Sequence, residues 1–186
     1  TTLGDHRFDT TVGPVAPQDV AAVRARLASI LERLDALGEP PAGQPAITAS
    51  ELRETVRGEL SHIDSGLDLW GVDAADGIPT AYLNVPAYQE ARTPADGDAM
   101  VARWRAMAAG TNAYAANLRE TLADGLVACA APVERVIAIL DDVLAEPDAA
   151  WPLLQPLHDL DGREGWSTAD RERLASGLRA AVGDAI

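Results

Sequence analysis

Three histidines, His6, His62 and His158, are the residues best suited to metal or acid–base chemistry, and they stand in GDHRFD, SHID and LHDL. A helical zinc peptidase needs two imidazoles at i and i+4 on one helical face, with a Glu beside the first to activate the metal-bound water. No two of these histidines have that spacing. His62 falls on an expected helix beside its apolar face and reads as a structural histidine. His6 and Asp9 share an expected loop, where the spacing suits a local hydrogen bond or, alternatively, a place at a cleft edge. Asp64, Asp68, Asp73 and Asp76 are close enough to suggest calcium, but they lack the alternate ligands, turn Gly and closing Glu of an EF-hand. Caps, Asx-turns and solvated faces account for them more cheaply. Cys129 is the only cysteine, which excludes an intrachain disulfide and any Cys-based zinc cluster. In VACAAP it reads as a buried, inert thiol. Arg103, Arg105 and Arg119 are expected in ion pairs rather than as substrate anchors. No nucleophile-elbow, phosphate-binding or dinucleotide-binding pattern occurs, so no catalytic, cofactor-binding or metal residue is assigned.

The elements that would position these groups are helical. Pro17 and Asp19 open a first helix near 17–37, with Val20, Val23, Leu27, Ile30, Leu31, Leu34 and Leu37 at helical spacing and Gly38 as its stop. A Pro-rich connector over 39–46 separates it from a second helix near 49–65, whose start is set by a capping-box pattern of Thr48 and Glu51 and whose core face is Leu52, Val56, Leu60 and Ile63. Residues 66–92 have no helical period yet carry Trp70, Ile78, Tyr82, Leu83 and Tyr88, which predicts a long ordered loop with a short extended piece around Thr80–Val85. Thr93-Pro94-Ala95-Asp96 opens a third helix near 94–123, striped by Met100, Trp104, Met107, Thr111, Tyr114, Leu118 and Leu122, with a kink or break expected at Gly110. A fourth, near 132–146, presents Val133, Val136, Ile137, Leu140, Val143 and Leu144. Residues 148–165 read as irregular or short helical structure. Ser167 and Asp170 cap a last helix near 168–186 with Leu174, Leu178, Val182 and Ile186 on one face. The class is all-α: a bundle of about five helices and one long ordered loop.

At 186 residues the chain can bury a core of its own. Apolar residues make up 47% and charged residues 24%, a composition that excludes wholesale disorder. The net charge is −14, and all 15 basic residues are Arg. Such acidity argues against a nucleic-acid partner and an anionic membrane surface, both of which call for basic residues. No apolar run reaches the roughly 18 residues a bilayer span needs, and a cytoplasmic location is expected. With no initiator Met and a last helix running uncapped to Ile186, residues 1–186 read as a single helical region cut at both ends. The face of that last helix is expected to lie exposed for an absent half to cover.

The opening TTLGDHRFD, then GVDAADGIP, YLNVPAYQEARTPADGDAMVARWRAM and NLRETLADGLVACAAPVERVI, couple an irregular segment to a long helix and a Pro-started one. This order resembles the N-terminal half of a bacterial family catalogued as domain of unknown function 885, described as similar to helical zinc carboxypeptidases. The resemblance implies the N-terminal portion of a zinc-dependent peptidase or amide hydrolase. That portion would form a wall or lid of a substrate cleft, with a peptide as substrate. The family's proposed His-Glu-x-x-His lies in its C-terminal half and nothing here matches it. The resemblance therefore places zinc in the full-length protein, none in this chain, and makes the C-terminal half its partner. The rival reading is a stand-alone helical interaction module with no enzymatic role.

Overall fold

The computed structural model describes residues 5–160 and 163–185; Thr1–Gly4 of the opening segment and Ile186 of the last helical face lie outside them. Seven α-helices are found among the described residues: α1 (Pro17–Ala36), α2 (Gln44–Ser65), α3 (Leu67–Trp70), α4 (Ile78–Asn84), α5 (Pro94–Ala123), α6 (Ala130–Ala145) and α7 (Thr168–Ala185). Short 3-10 stretches at His6–Phe8, Val85–Ala87, Asp148–Ala150 and Pro152–Leu160 join them. No strand occurs among the described residues, and the all-α class holds.

α5 is the spine. Its capping box forms as expected: the Asp96 amide donates to the Thr93 hydroxyl at 3.3 Å, and the Thr93 amide donates to the Asp96 carboxylate at 2.8 Å. The stripe of Met100, Trp104, Met107 and Tyr114 is buried. Leu122, expected to continue that stripe, is exposed, because the helix leaves the core at its last turn and buries Thr121 in its place. The helix runs unbroken across Gly110. The bare backbone there takes the Tyr82 hydroxyl, in space a β-carbon would fill.

α7 packs along α5, and the pair run parallel. Trp166, just before α7, and Leu174 within it cover Gly97 near the start of α5; Gly177, further along α7, lies on Val101, about one turn further along α5. Parallel neighbours need a long return, here supplied by α6 and the 3-10 stretch. Ser167 and Asp170 cap α7 reciprocally, with Ser167 Oγ donating to Asp170 at 2.6 Å and the Asp170 amide donating back to Oγ at 3.1 Å. Leu174, Leu178 and Val182 are buried in the interior shared with Trp104 and Leu153, so the expectation that this face awaits an absent half is wrong. α5 already covers it.

Other expectations also need correction. α2 begins at Gln44 rather than at Thr48 and Glu51, because Pro45 fits the first helical turn and the left-handed Gly43 breaks the chain just before it. Of its expected core face, Val56 is buried but Leu52 is exposed. The supposed loop 66–92 is largely short helix and 3-10 turn. The piece around Thr80–Val85 is not extended: Gly77 and Pro79 start α4 there. In α6, Val136 is buried whereas Ile137 and Leu144 are exposed. α6 leans on the bundle across a cavity and makes no close helix pairing. Cys129, at its N-terminal edge, is exposed rather than buried.

α1 and α2 form an antiparallel hairpin packed chiefly on itself, with Leu34 and Val56 its only buried apolar residues. Arg24 grips Asp64 with two hydrogen bonds of 2.7 and 3.1 Å, and Arg53 donates to the Leu34 carbonyl at 2.9 Å.

Candidate functional site

Two regions gather the residues whose types could do chemistry. The first is the clasp that holds the N-terminal segment on α5. Asp9 is buried, with a 2.7 Å hydrogen bond to His6 Nδ1. Arg103, also nearly buried, lies 3.8 Å from the other Asp9 oxygen and donates to the Thr11 carbonyl at 3.0 Å and to the Phe8 carbonyl. Buried Gln89 donates to the Asp9 carbonyl at 3.0 Å, while its own amide oxygen finds no partner among the described residues. Burial lowers the Arg103 pKa, and the Asp9 charge opposes that shift. The local His6–Asp9 hydrogen bond is present, and the imidazole itself is mostly exposed. Arg103 is an anchor between segments rather than a free cation, a role its place beside the Met100–Trp104 stripe did not reveal.

The second region is an open cavity of about 700 Å³ between the start of α1, the α2–α3 turn, α4 and α5. Tyr82 and Tyr114 line it together with His62, Asp68, Asp73 and Asp76. Tyr114 donates to the Gly71 carbonyl at 2.9 Å, which fixes the loop that carries the acids. His62 Nε2 is 2.9 Å from Asp68, an exposed pair rather than a histidine satisfied in the core. Asp73 closes an Asx-turn, accepting from the Ala75 and Asp76 amides at 2.6 and 3.1 Å, and these bonds hold its carboxyl below the usual range. Burial pushes both tyrosine phenols up.

The structure does not bring the three histidines together into one pocket. His6 belongs to the clasp, and His62 to the open cavity. His158 bonds the Ala149 carbonyl at 2.9 Å beside the 3-10 stretch. No group of three His, Cys, Asp or Glu poised to hold a metal ion occurs among the described residues. Asp64 is committed to Arg24 rather than to the other acids. Arg105 and Arg119 are exposed on α5.

The family model described as "Bacterial protein of unknown function (DUF885)" matches residues 1–186. The chain belongs to this family. No curated protein matches it. Within this DUF885 chain, no helix among the described residues is long and apolar enough to cross a membrane. What the DUF885 arrangement offers chemically is a recess with apolar walls, two phenols and several carboxylates, beside a charge network that secures its N-terminal edge.

Proposed function

We propose that this chain is the N-terminal helical portion of a zinc-dependent peptidase or amide hydrolase. It forms one wall of the substrate cleft, while the metal-binding motif comes from a C-terminal half of the same protein. The observation that supports this reading most is the open cavity lined by Tyr82 and Tyr114. It joins apolar surface from Ile63, Val72 and Ile78 to polar groups from Asp68 and Asp76. A peptide presents both kinds of surface at once, and sites for such ligands combine apolar walls with a few placed polar groups. The family resemblance supplies the reaction class by analogy.

The test is an assay of the full-length, zinc-loaded protein against mixed peptide and amide substrates. We expect hydrolysis that a chelator abolishes, and a Val72→Trp variant that raises KM by narrowing the recess. Zinc-loaded full-length protein that cleaves no peptide or amide would overturn the reading. The exposed Leu126, Val127, Ile137 and Leu144 favour the second reading, a helical interaction module, since exposed apolar surface is a common docking feature. A reading frame that stops after Ile186 in the source genome would decide for the module.

A further inference from the structure

A second cavity, of about 200 Å³, lies between α4, α5, α6, α7 and the 3-10 stretch Pro152–Leu160. Its walls include Leu83, Trp104, Met107, Leu140, Val143 and Val182. Three of its lining residues, Tyr82, Trp104 and Thr111, carry polar side-chain groups, and two of these groups are already committed within the protein. Trp104 Nε1 donates to the Leu153 carbonyl at 2.9 Å, and the Thr111 hydroxyl donates to the Met107 carbonyl at 3.0 Å. A water held inside would find the Tyr82 hydroxyl and little else, whereas a stable buried water needs about two to four polar partners. The mouth is marked by Leu144, which lines the cavity and is 53% exposed.

An unfilled apolar cavity forfeits dispersion contacts along its whole lining, and one of about 150 Å³ is already large enough to take a benzene-sized guest. We propose that this cavity is a binding site for a small apolar molecule, a single aromatic ring or a short hydrocarbon chain, entering past Leu144 along α6. The site is separate from the open cavity, with Tyr82 as the wall common to both. The proposal is independent of the hydrolase reading and holds for a module equally well. It also gives a purpose to the loose seating of α6: a helix held across a gap rather than packed into its neighbours lets the wall move outward as a guest enters.

The experiment is calorimetric titration of the chain with n-butylbenzene, with the unfolding temperature followed in parallel. The expected result is saturable one-to-one binding that raises the unfolding temperature. Ala108→Phe, which fills the cavity from α5, and Val143→Asn, which puts an amide into its α6 wall, should each weaken binding by about tenfold or more. α6 is the less constrained of the two helices, so the Val143→Asn protein gives the answer if Ala108→Phe fails to fold. Crystals of the parent protein pressurised with xenon supply a readout that needs no variant, with a xenon peak between Trp104 and Val143. Absence of saturable binding, absence of that peak, or binding unchanged in both variants would overturn the proposal.

Discussion

The Tyr82 hydroxyl rests on the bare backbone of Gly110, and the two residues define each other's role. A helix-interior glycine ordinarily costs about 1 kcal/mol against alanine. Here it lets a phenol from α4 lie flush on α5 and form the partition between two cavities. Gly110→Ala should therefore destabilise the parent protein, despite its better helix propensity. In a Tyr82→Phe background, where the hydroxyl is gone, the same substitution should cost less or stabilise. The double-mutant cycle read from denaturation midpoints should show a coupling of about 1 kcal/mol or more; additive effects would mean the contact carries no energy.

Trp104→Ala should be among the costliest single changes in the chain. The indole is 2% exposed and its Nε1 donates to the Leu153 carbonyl, so truncation leaves both a cavity and an unpaired carbonyl. A loss of about 3–5 kcal/mol is expected. Arg105, next in sequence but exposed, should tolerate alanine with a change within about 0.5 kcal/mol. Urea melts of the two variants make the comparison.

Removing Arg103 should release the N-terminal segment without melting the bundle. Its guanidinium spans the Phe8 and Thr11 carbonyls and neutralises the buried Asp9 carboxylate. Arg103→Ala should cost about 2–3 kcal/mol, as hydrogen bonds to charged groups do. Limited proteolysis would report it as rapid cleavage between residues 5 and 16 while the cut at other sites stays slow. Unchanged protection of that segment would show that its other anchors, among them the bonds from Gln89 to Asp9 and from Asn117 to Val15, suffice to hold it.

The Ser167 hydroxyl, the strongest influence on Asp170, together with the Ser167 amide and Arg173, holds the Asp170 carboxyl below its ordinary value. A carboxylate depressed in the folded state stabilises the fold fully above its unfolded pKa, and that contribution is lost as pH falls through the folded value. The expectation is a weakening of the α7 cap below about pH 4, and none through neutrality. In Ser167→Ala, the Asp170 titration followed by carboxyl-carbon NMR should move up toward the usual carboxylate range. An unshifted titration would place the cause elsewhere.

How far sequence reached depended on the range of the interactions involved. The capping boxes at Thr93–Asp96 and Ser167–Asp170 were legible because both partners lie three residues apart, and local chemistry fixes them. The Thr48 and Glu51 pattern is just as local but was outcompeted, since Gly43 and Pro45 offered a start one turn earlier. The Tyr82–Gly110 contact, the exposure of Cys129 and the burial of the Leu174 face all depend on where a distant element packs. Periodicity carries no record of that. Of the candidate groups, the His6–Asp9 bond was readable for the same local reason, whereas the Arg103 bonds across more than ninety residues of chain were not. Family membership was legible because order of elements survives where catalytic signatures are absent.

The α1–α2 hairpin encloses little apolar interior beyond Leu34 and Val56, and is laced mainly by exposed arginine pairs. A unit so thinly filled has its own, lower opening free energy. Amide exchange should divide this protein into two cooperative blocks, with the hairpin amides exchanging at a salt-sensitive rate well before those of α5 and α7. In that experiment the hairpin, whose flanking residues join the spine through the Asn117–Val15 bond and the α3 turn, should open while α5 and α7 stay folded.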